Sequence, residues 1–229
     1  MRFLAALLLS CLTLCADDLL IAAASDLGPF APKLQQVYKE KIRFTLASSG
    51  SLKQQIENGA PFDVFLSANA KYVQDLGAQV TDATVYAVGR IALWSPNGSV
   101  ASFADLKKPS VIHLAIPNPQ FAPYGVAAKE ALESQGVWKD VESKIVYGEN
   151  VRQALQFAES GNVEAVITSW TLLIGKGKLL PAEWHSPIRQ TAAVVKSSKQ
   201  PDAARRFLKF LMSPEAQTIL ENGGLFKAP

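Results

Sequence analysis

From residue 19 onward, short apolar runs typical of buried strands alternate with segments whose apolar residues recur at helical spacing. The run "LLIAAAS" at 19–25 precedes a segment with Leu27, Phe30 and Leu34 in helical phase, and "IRFTLAS" at 42–48 precedes a helix at 51–60. Further strands are predicted at 63–68, 90–95, 112–116, 144–148, 163–169 and 189–195, and further helices at 69–78, 126–136 and 150–162, with two more near the C-terminus. This alternation predicts an open, mostly parallel α/β sheet with helices on both faces.

Two connections predict a division into domains. Near residue 87 and near residue 191, strand-like segments follow polar or proline-bearing connections. We interpret them as the crossings between a domain built from both ends of the chain and a domain built from its middle. The first domain is then expected to comprise residues 17–86 plus 192–229, and the second residues 87–191.

The charge of the chain does not indicate a nucleic-acid partner. Among 229 residues, 23 are Lys or Arg and 20 are Asp or Glu, which leaves a net charge of +3. The basic residues are scattered, whereas a nucleic-acid surface needs them clustered. We therefore expect no nucleic-acid binding.

The first sixteen residues, "MRFLAALLLSCLTLCA", have the layout of a secretory signal peptide. Arg2 precedes an apolar run that is too short to span a membrane, and Ala16 is suitable before the cleavage point. Cleavage would remove both cysteines, Cys11 and Cys15, so disulfides and thiolate metal sites are not expected. Leu14 fits a lipoprotein cleavage box badly, so a lipid anchor at Cys15 is not expected either.

One local arrangement recurs four times: a predicted strand ends in small or polar residues, and a helix begins at once. The four junctions are at Ser25, at Ser48–Gly50, at Pro123–Gly125 and at Gly148–Val151. Each one alone is explained by helix capping, the usual role of serine at such a position. In an open α/β sheet, however, ligands bind beyond the carboxyl ends of the strands, where helix N-termini offer free N–H groups to an anion. Capping and a shared anion cleft therefore both stay open on the pattern alone.

Other chemistry is sparse. The two histidines, His113 and His185, lack metal-ligand spacing, and "SSGSL" lacks the frame of a hydrolase nucleophile. An exported serine hydrolase using Ser49 is nevertheless one alternative. Asp63 is expected to act in a turn or a cap rather than in catalysis.

Four motifs together resemble the periplasmic molybdate-binding proteins of ABC transporters. They are "AAAS" at 22–25, "ASSGSLKQQIENGAPFDVFLSA" at 47–68, "NPQFAPYGVAAKEAL" at 118–132 and "GENVRQALQFAESGNVEAVITS" at 148–169. The resemblance implies a type II, venus-flytrap periplasmic-binding-protein fold, with two domains that are each a mixed sheet flanked by helices and are joined by two crossover strands. It implies a periplasmic monomer that captures molybdate or tungstate, delivers it to an ABC permease in the inner membrane, uses no cofactor and catalyses nothing.

The resemblance also implies the site residues. Ser25 and Ser49 match binding serines, while Tyr124 and Val151 match positions that donate backbone N–H groups. Ser169 falls where many relatives place a tyrosine hydroxyl, so the fifth contact is expected from Ser169 or from the hydroxyl of Tyr124. All five would contact oxygens of the molybdate and not the metal itself. The alternatives are a protein of the same fold for sulfate or phosphate, and a sensory effector-binding domain, for which the sequence shows no DNA-binding region.

Overall fold

The computed structural model describes residues 18–228. The predicted signal peptide, with its cleavage point and Cys15, lies outside these residues. The strands are β1 (Leu19–Ala24), β2 (Ile42–Ala47), β3 (Val64–Ser67), β4 (Val80–Gly89), β5 (Ile91–Trp94), β6 (Leu114–Pro117), β7 (Ile145–Gly148), β8 (Ala165–Ser169), β9 (Lys178–Leu179) and β10 (Ile188–Val195). The α-helices are α1 (Ala31–Val37), α2 (Ser49–Glu57), α3 (Ala70–Asp75), α4 (Pro123–Ser134), α5 (Trp138–Val141), α6 (Val151–Glu159), α7 (Pro201–Leu211) and α8 (Pro214–Asn222).

The strands form two five-stranded sheets with the same plan. The first sheet has the order β2-β1-β3-β10-β4 and the second the order β7-β6-β8-β5-β9. In each sheet three neighbouring strands pair in parallel, and one strand, β10 or β5, pairs antiparallel on both sides. The predicted α/β fold with two mixed sheets flanked by helices is confirmed.

The first sheet takes its strands from both ends of the chain, and the second takes them from the middle. We call each sheet with its packed helices a lobe; helices α1, α2, α3, α7 and α8 belong to the first lobe, and α4, α5 and α6 to the second. The chain passes to the second sheet at Arg90, between β4 and β5, and returns between β9 and β10. The predicted domain boundaries at 86/87 and 191/192 fall inside β4 and β10 and stay a prediction.

Each sheet is buried on both faces, which explains its uninterrupted apolar strands. On β1, Ile21 and Ala23 pack in one cluster with Phe207 of α7, while Ala22 packs on the other face with Leu52 of α2. In the second lobe, Ile116 packs with α4 and Ala115 packs with α6. Helices on both faces therefore hold each sheet so that the carboxyl ends of its parallel strands lie next to helix N-termini.

Two strands, β4 and β9, are not among the predicted elements. The β4 strand contains Asp82 at a positive φ of 55°, and its pairing with β10 shifts register twice. Such irregularities interrupt the two-residue period on which strand prediction depends. The β9 strand has only two residues and is too short to show any period.

Candidate anion-binding site

Four strand-to-helix junctions meet at one small cavity between the lobes. Ser25 follows β1 in a short 3-10 helix, Ser49 begins α2, Tyr124 lies in the first turn of α4, and Val151 begins α6. All four line a cavity of ≈ 10 Å³. The structure thus brings together residues from sequence positions 25 to 151, two from each lobe.

On the first lobe, the neighbouring serines have different roles. The Ser48 Oγ caps α2, accepting from the N–H of Ser51 at 3.4 Å and lying 2.7 Å from its hydroxyl. The Ser49 Oγ accepts from the N–H of Ala68 at 3.0 Å, and the side chain is 1% exposed. Because a hydroxyl that accepts in this way still has its own proton to donate, Ser49 can offer an O–H to a ligand in the cavity.

On the second lobe, helix N-termini supply backbone donors. Asn150 caps α6 by accepting from the N–H groups of Arg152 and Gln153, and this cap does not engage the N–H of Val151. Helix α4 begins after Ala122, whose side chain forms no cap, so Tyr124 N–H also has no side-chain acceptor from that position. First-turn N–H groups have no acceptor within their own helix, so both are suited to bind an anion.

A buried carboxyl that sequence analysis did not single out stands at the centre of the contact between the lobes. The Oδ2 of Asp26 accepts from the hydroxyl of Tyr124 at 2.8 Å and from the amide of Gln190 at 2.7 Å. Its backbone carbonyl accepts from the hydroxyl of Thr171 at 2.8 Å. Burial raises the pKa of Asp26 from 3.8 to about 7, and the hydrogen bonds from Tyr124 and Gln190 only partly oppose that rise. Near neutral pH the charged and the neutral form of this carboxyl are therefore both populated.

Two buried oxygens at the cavity have no hydrogen-bond partner among the described residues. They are the Oγ of Ser25 and the Oδ1 of Asp26, on side chains that are 7% and 1% exposed. Buried polar atoms in proteins are almost always satisfied. Both residues line the cavity.

Ser169 lies beside the hydroxyl of Tyr124 and outside the cavity lining. It is fully buried at the end of β8, its Oγ lies 2.9 Å from the Oγ1 of Thr171, and it is not among the residues that line the cavity. The other predicted source of a fifth contact, the hydroxyl of Tyr124, donates to Asp26. The structure therefore brings Ser25, Ser49, Tyr124 and Val151 together, without Ser169.

The cavity presents neutral donors instead of cations. Within residues 18–228, no lysine or arginine lines it. A larger cleft outside, of ≈ 560 Å³, shares Ser25 and Asn150 with the cavity and is lined by Arg152. This outer cleft is a route by which an anion could reach the donors.

Metal and membrane features are absent from the described residues. Between residues 18 and 228, no cluster of three or more His, Cys, Asp or Glu could hold a metal ion. In the same range, no helix combines the length and the apolar character needed to cross a bilayer.

Sequence reasoning missed Asp26, Thr171 and Gln190. A signal was present for two of them, because Asp26 is the first charged residue after an apolar strand and Gln190 interrupts the apolar strand "IRQTAAVV". Both lie 0–1% exposed, and a polar residue that a strand buries needs a partner. The partners of Asp26, Tyr124 and Gln190, lie 98 and 164 residues away in the sequence, beyond the reach of local patterns.

Known proteins are similar to this chain in sequence and in fold. A family model described as bacterial extracellular solute-binding protein matches residues 19–226. The molybdate-binding protein ModA of Rhodobacter capsulatus is 33% identical over 222 residues, which cover 91% of this chain and 88% of that protein. The solved periplasmic molybdate-binding protein of Azotobacter vinelandii has a TM-score of 0.85 and 28% identity, covering 93% of this chain and 100% of that one.

The fold alone does not identify the anion. The sulfate-binding protein SubI of Mycobacterium tuberculosis has a TM-score of 0.73 at 16% identity, with 91% of this chain and 86% of that one covered. The resemblance to molybdate-binding proteins that the motifs predict is confirmed by the nearer relatives, which are binding proteins and not enzymes. The chain belongs to the family of bacterial extracellular solute-binding proteins.

Proposed function

We propose that this protein captures molybdate, and also tungstate, in the cavity between its lobes and delivers the anion to an ABC permease of the inner membrane. It acts as a periplasmic monomer. The observation that carries the proposal is the meeting of four strand-to-helix junctions, two from each lobe, at a cavity that no described lysine or arginine lines. The relatives named for molybdate supply the identity of the anion.

Neutral donors suffice for a dianion in such a cavity. The hydroxyls of Ser25 and Ser49 and the N–H groups of Tyr124 and Val151 are the proposed contacts, all to anion oxygens. Oriented N–H and O–H dipoles that are shielded from water form short, strong hydrogen bonds to a charged acceptor. Because they carry no full charge, they hold the anion without the additional attraction of an ion pair, which helps its release to the permease.

Selection against sulfate follows from size. Sulfate has the charge and shape of molybdate but shorter bonds, so donors placed for the larger anion would reach it poorly. Each buried donor left unpaired costs about 1–3 kcal/mol, and a few such losses discriminate strongly. Molybdate and tungstate are nearly equal in size, so we expect little discrimination between them.

Closure of the two lobes is the proposed binding event. Ser25 and Ser49 belong to the first lobe and Tyr124 and Val151 to the second, so one anion bridges both. Direct contacts support the closed arrangement, among them the N–H of Gly50 in α2, which donates at 2.9 Å to the carbonyl of Phe121. A ligand that touches both lobes favours the closed state by its differential affinity.

Titration calorimetry and thermal shift with molybdate, tungstate, sulfate and phosphate test the proposal on the chain without residues 1–16. We expect molybdate and tungstate to bind and to raise the melting temperature, with sulfate and phosphate far weaker. Tight binding of sulfate or phosphate, together with no response to molybdate, would instead assign the site to the other oxyanion.

A further inference from the structure

We propose that Asp26 is a further anion-binding residue that takes part as the neutral carboxylic acid, donating from Oδ1, so that capture of each anion is accompanied by uptake of one proton. This inference rests on the proposed function and adds to it a donor and a proton. One proton passes from solvent to the carboxylate, neutralising it, and no covalent bond of the anion changes.

The geometry leaves Oδ1 as the free end of this carboxyl. Oδ2 already accepts from two donors, Tyr124 and Gln190, whereas Oδ1 is buried and has no partner among residues 18–228. Asp26 lines the same cavity as Ser25 and Ser49. A proton on Oδ1 therefore converts the unpaired acceptor of a cavity-lining residue into a donor of the kind that the other cavity residues supply.

Only the neutral form is compatible with a dianion at this position. A carboxylate would bring its negative charge against the anion in a site shielded from water, where like charges repel strongly. The carboxyl is held in place, because Tyr124 and Gln190 both donate to Oδ2 and Thr171 donates to the backbone carbonyl of the same residue. The bound anion must then shift Asp26 further toward its protonated form.

Among residues 18–228, no cation acts on the pKa of Asp26. Tyr124 of α4 and Tyr86 of β4 are the titratable groups that face it, and burial raises the pKa of both phenols well above 10, so both remain neutral. Residues 25–27 also pack on β2, on α6 and on the 3-10 turn at 170–172. Thr171 of that turn donates to the backbone carbonyl of Asp26, and Arg152 of α6 lines the outer cleft instead of the cavity.

The burial that already raises the pKa of Asp26 to about 7 sets the pH range of the effect. Near pH 6 the anion-free protein already holds the proton, so binding takes up little more. Above pH 7 the proton must be taken from solvent, and the affinity falls by about tenfold for each further pH unit.

An ionised Asp26 would favour a different class of oxyanion from the one that neutral Asp26 favours. A carboxylate accepts a hydrogen bond, so it would favour an oxyanion that carries its own proton, as phosphate does near neutral pH. Molybdate in this pH range carries no proton and needs a donor. The protonation state of Asp26 thus decides between two classes of oxyanion in one cavity.

The test is calorimetric titration of molybdate at pH 6 and at pH 8.5, repeated in buffers of different ionisation enthalpy to count protons. For the wild-type chain we expect close to one proton taken up per anion at pH 8.5 and close to none at pH 6. Asp26→Asn mimics the neutral acid, because its amide oxygen can accept from Tyr124 and Gln190 while its N–H₂ group donates. We expect this variant to bind molybdate with no proton uptake and with similar affinity at both pH values.

Asp63→Asn is the matched control, since Asp63 is a buried carboxyl of the same lobe, hydrogen-bonded to the N–H of Leu20 at the opposite end of β1. It should leave proton uptake at the wild-type value. Molybdate binding by the wild-type chain without proton uptake at pH 8.5 would overturn the role of Asp26 and leave the proposed function standing. Absence of molybdate binding at both pH values would overturn the proposed function and this inference together.

Discussion

Replacing Gly50 by alanine tests whether closure of the lobes is required for binding. Gly50 lies in the first turn of α2 and belongs to the first lobe, while Phe121 precedes α4 in the second. A Cβ at residue 50 would lie 2.8 Å from the carbonyl oxygen of Phe121 and 2.9 Å from its Cα. These are backbone atoms that cannot turn aside, so the added methyl group meets the opposite lobe only when the cleft is closed.

The expected magnitude follows from that contact. Overpacking by one methyl group typically costs about 1–3 kcal/mol. Here the cost is confined to the closed state, so the anion must overcome it, and the apparent affinity should fall by about 5- to 150-fold. Alanine is favoured over glycine in a helix by up to about 1 kcal/mol, so the stability of the anion-free protein should not fall.

Calorimetric titration of molybdate and thermal melting without anion measure the two effects separately. Gly125→Ala is the matched control, because a Cβ there would clash with Pro117 of the same lobe. We expect Gly125→Ala to lower the melting temperature of the anion-free protein, and Gly50→Ala to lower affinity alone. Unchanged affinity in Gly50→Ala, or an equal loss of stability in both variants, would refute the reasoning.

Three further predictions concern the serines, the pH dependence of stability and the core. Ser49→Ala should weaken molybdate binding by about 5- to 150-fold, because one buried donor is lost. Ser48→Ala should lower the unfolding free energy by ~1 kcal/mol and leave the affinity unchanged, because its side chain only caps α2. Calorimetric titration and thermal melting of both variants test this, and a larger loss of affinity in Ser48→Ala than in Ser49→Ala would contradict it. Because burial raises the pKa of Asp26 from 3.8 to about 7, its contribution to stability is fully present below pH 3.8 and is lost as the pH rises toward 7. That loss amounts to up to about 4 kcal/mol, at 1.36 kcal/mol per pKa unit. Urea unfolding without anion at pH 5 and pH 8 should show about 3 kcal/mol of this loss in the wild type, because the rest falls below pH 5. Asp26→Asn should show none of it, and equal pH profiles would count against the prediction. Phe207 is a fully buried aromatic residue of the first lobe, so Phe207→Ala should lower the unfolding free energy by about 3–5 kcal/mol without changing the affinity for molybdate. A loss of less than about 1 kcal/mol in the same urea assay would show that the side chains around Phe207 are not well packed.

Most secondary structure could be predicted because it is encoded locally. The strands β1, β3, β6 and β8 were recognisable as apolar runs, since they are buried on both faces of their sheets. The strand β4 was not recognisable from the sequence, because its residues alternate irregularly and its pairing with β10 is interrupted by register shifts. Pairing of β10 with β3 and β4 depends on residues more than 100 positions apart, which no local period can indicate.

The site divides in a similar way. Ser25, Ser49, Tyr124 and Val151 lie in the first turns of helices that follow strands, so the pattern indicated helix N-termini that could bind an anion. Ser169 also follows a strand, yet its hydroxyl lies against Thr171 away from the cavity lining. The pattern fixes where a residue sits along the chain, but the direction of its side chain depends on packing.

By itself, then, the sequence determined the order of strands and helices and the choice of neutral donors at the helix N-termini, because both depend on neighbouring residues. Only the tertiary structure decided that the four junctions share one cavity and that Asp26 lies between the lobes. Its partners Tyr124 and Gln190 lie 98 and 164 residues away, and burial among them raises its pKa to about 7. Desolvation is a property of the assembled lobes, so a residue that resembles an ordinary surface aspartate in the sequence becomes a proton-binding group in the folded protein.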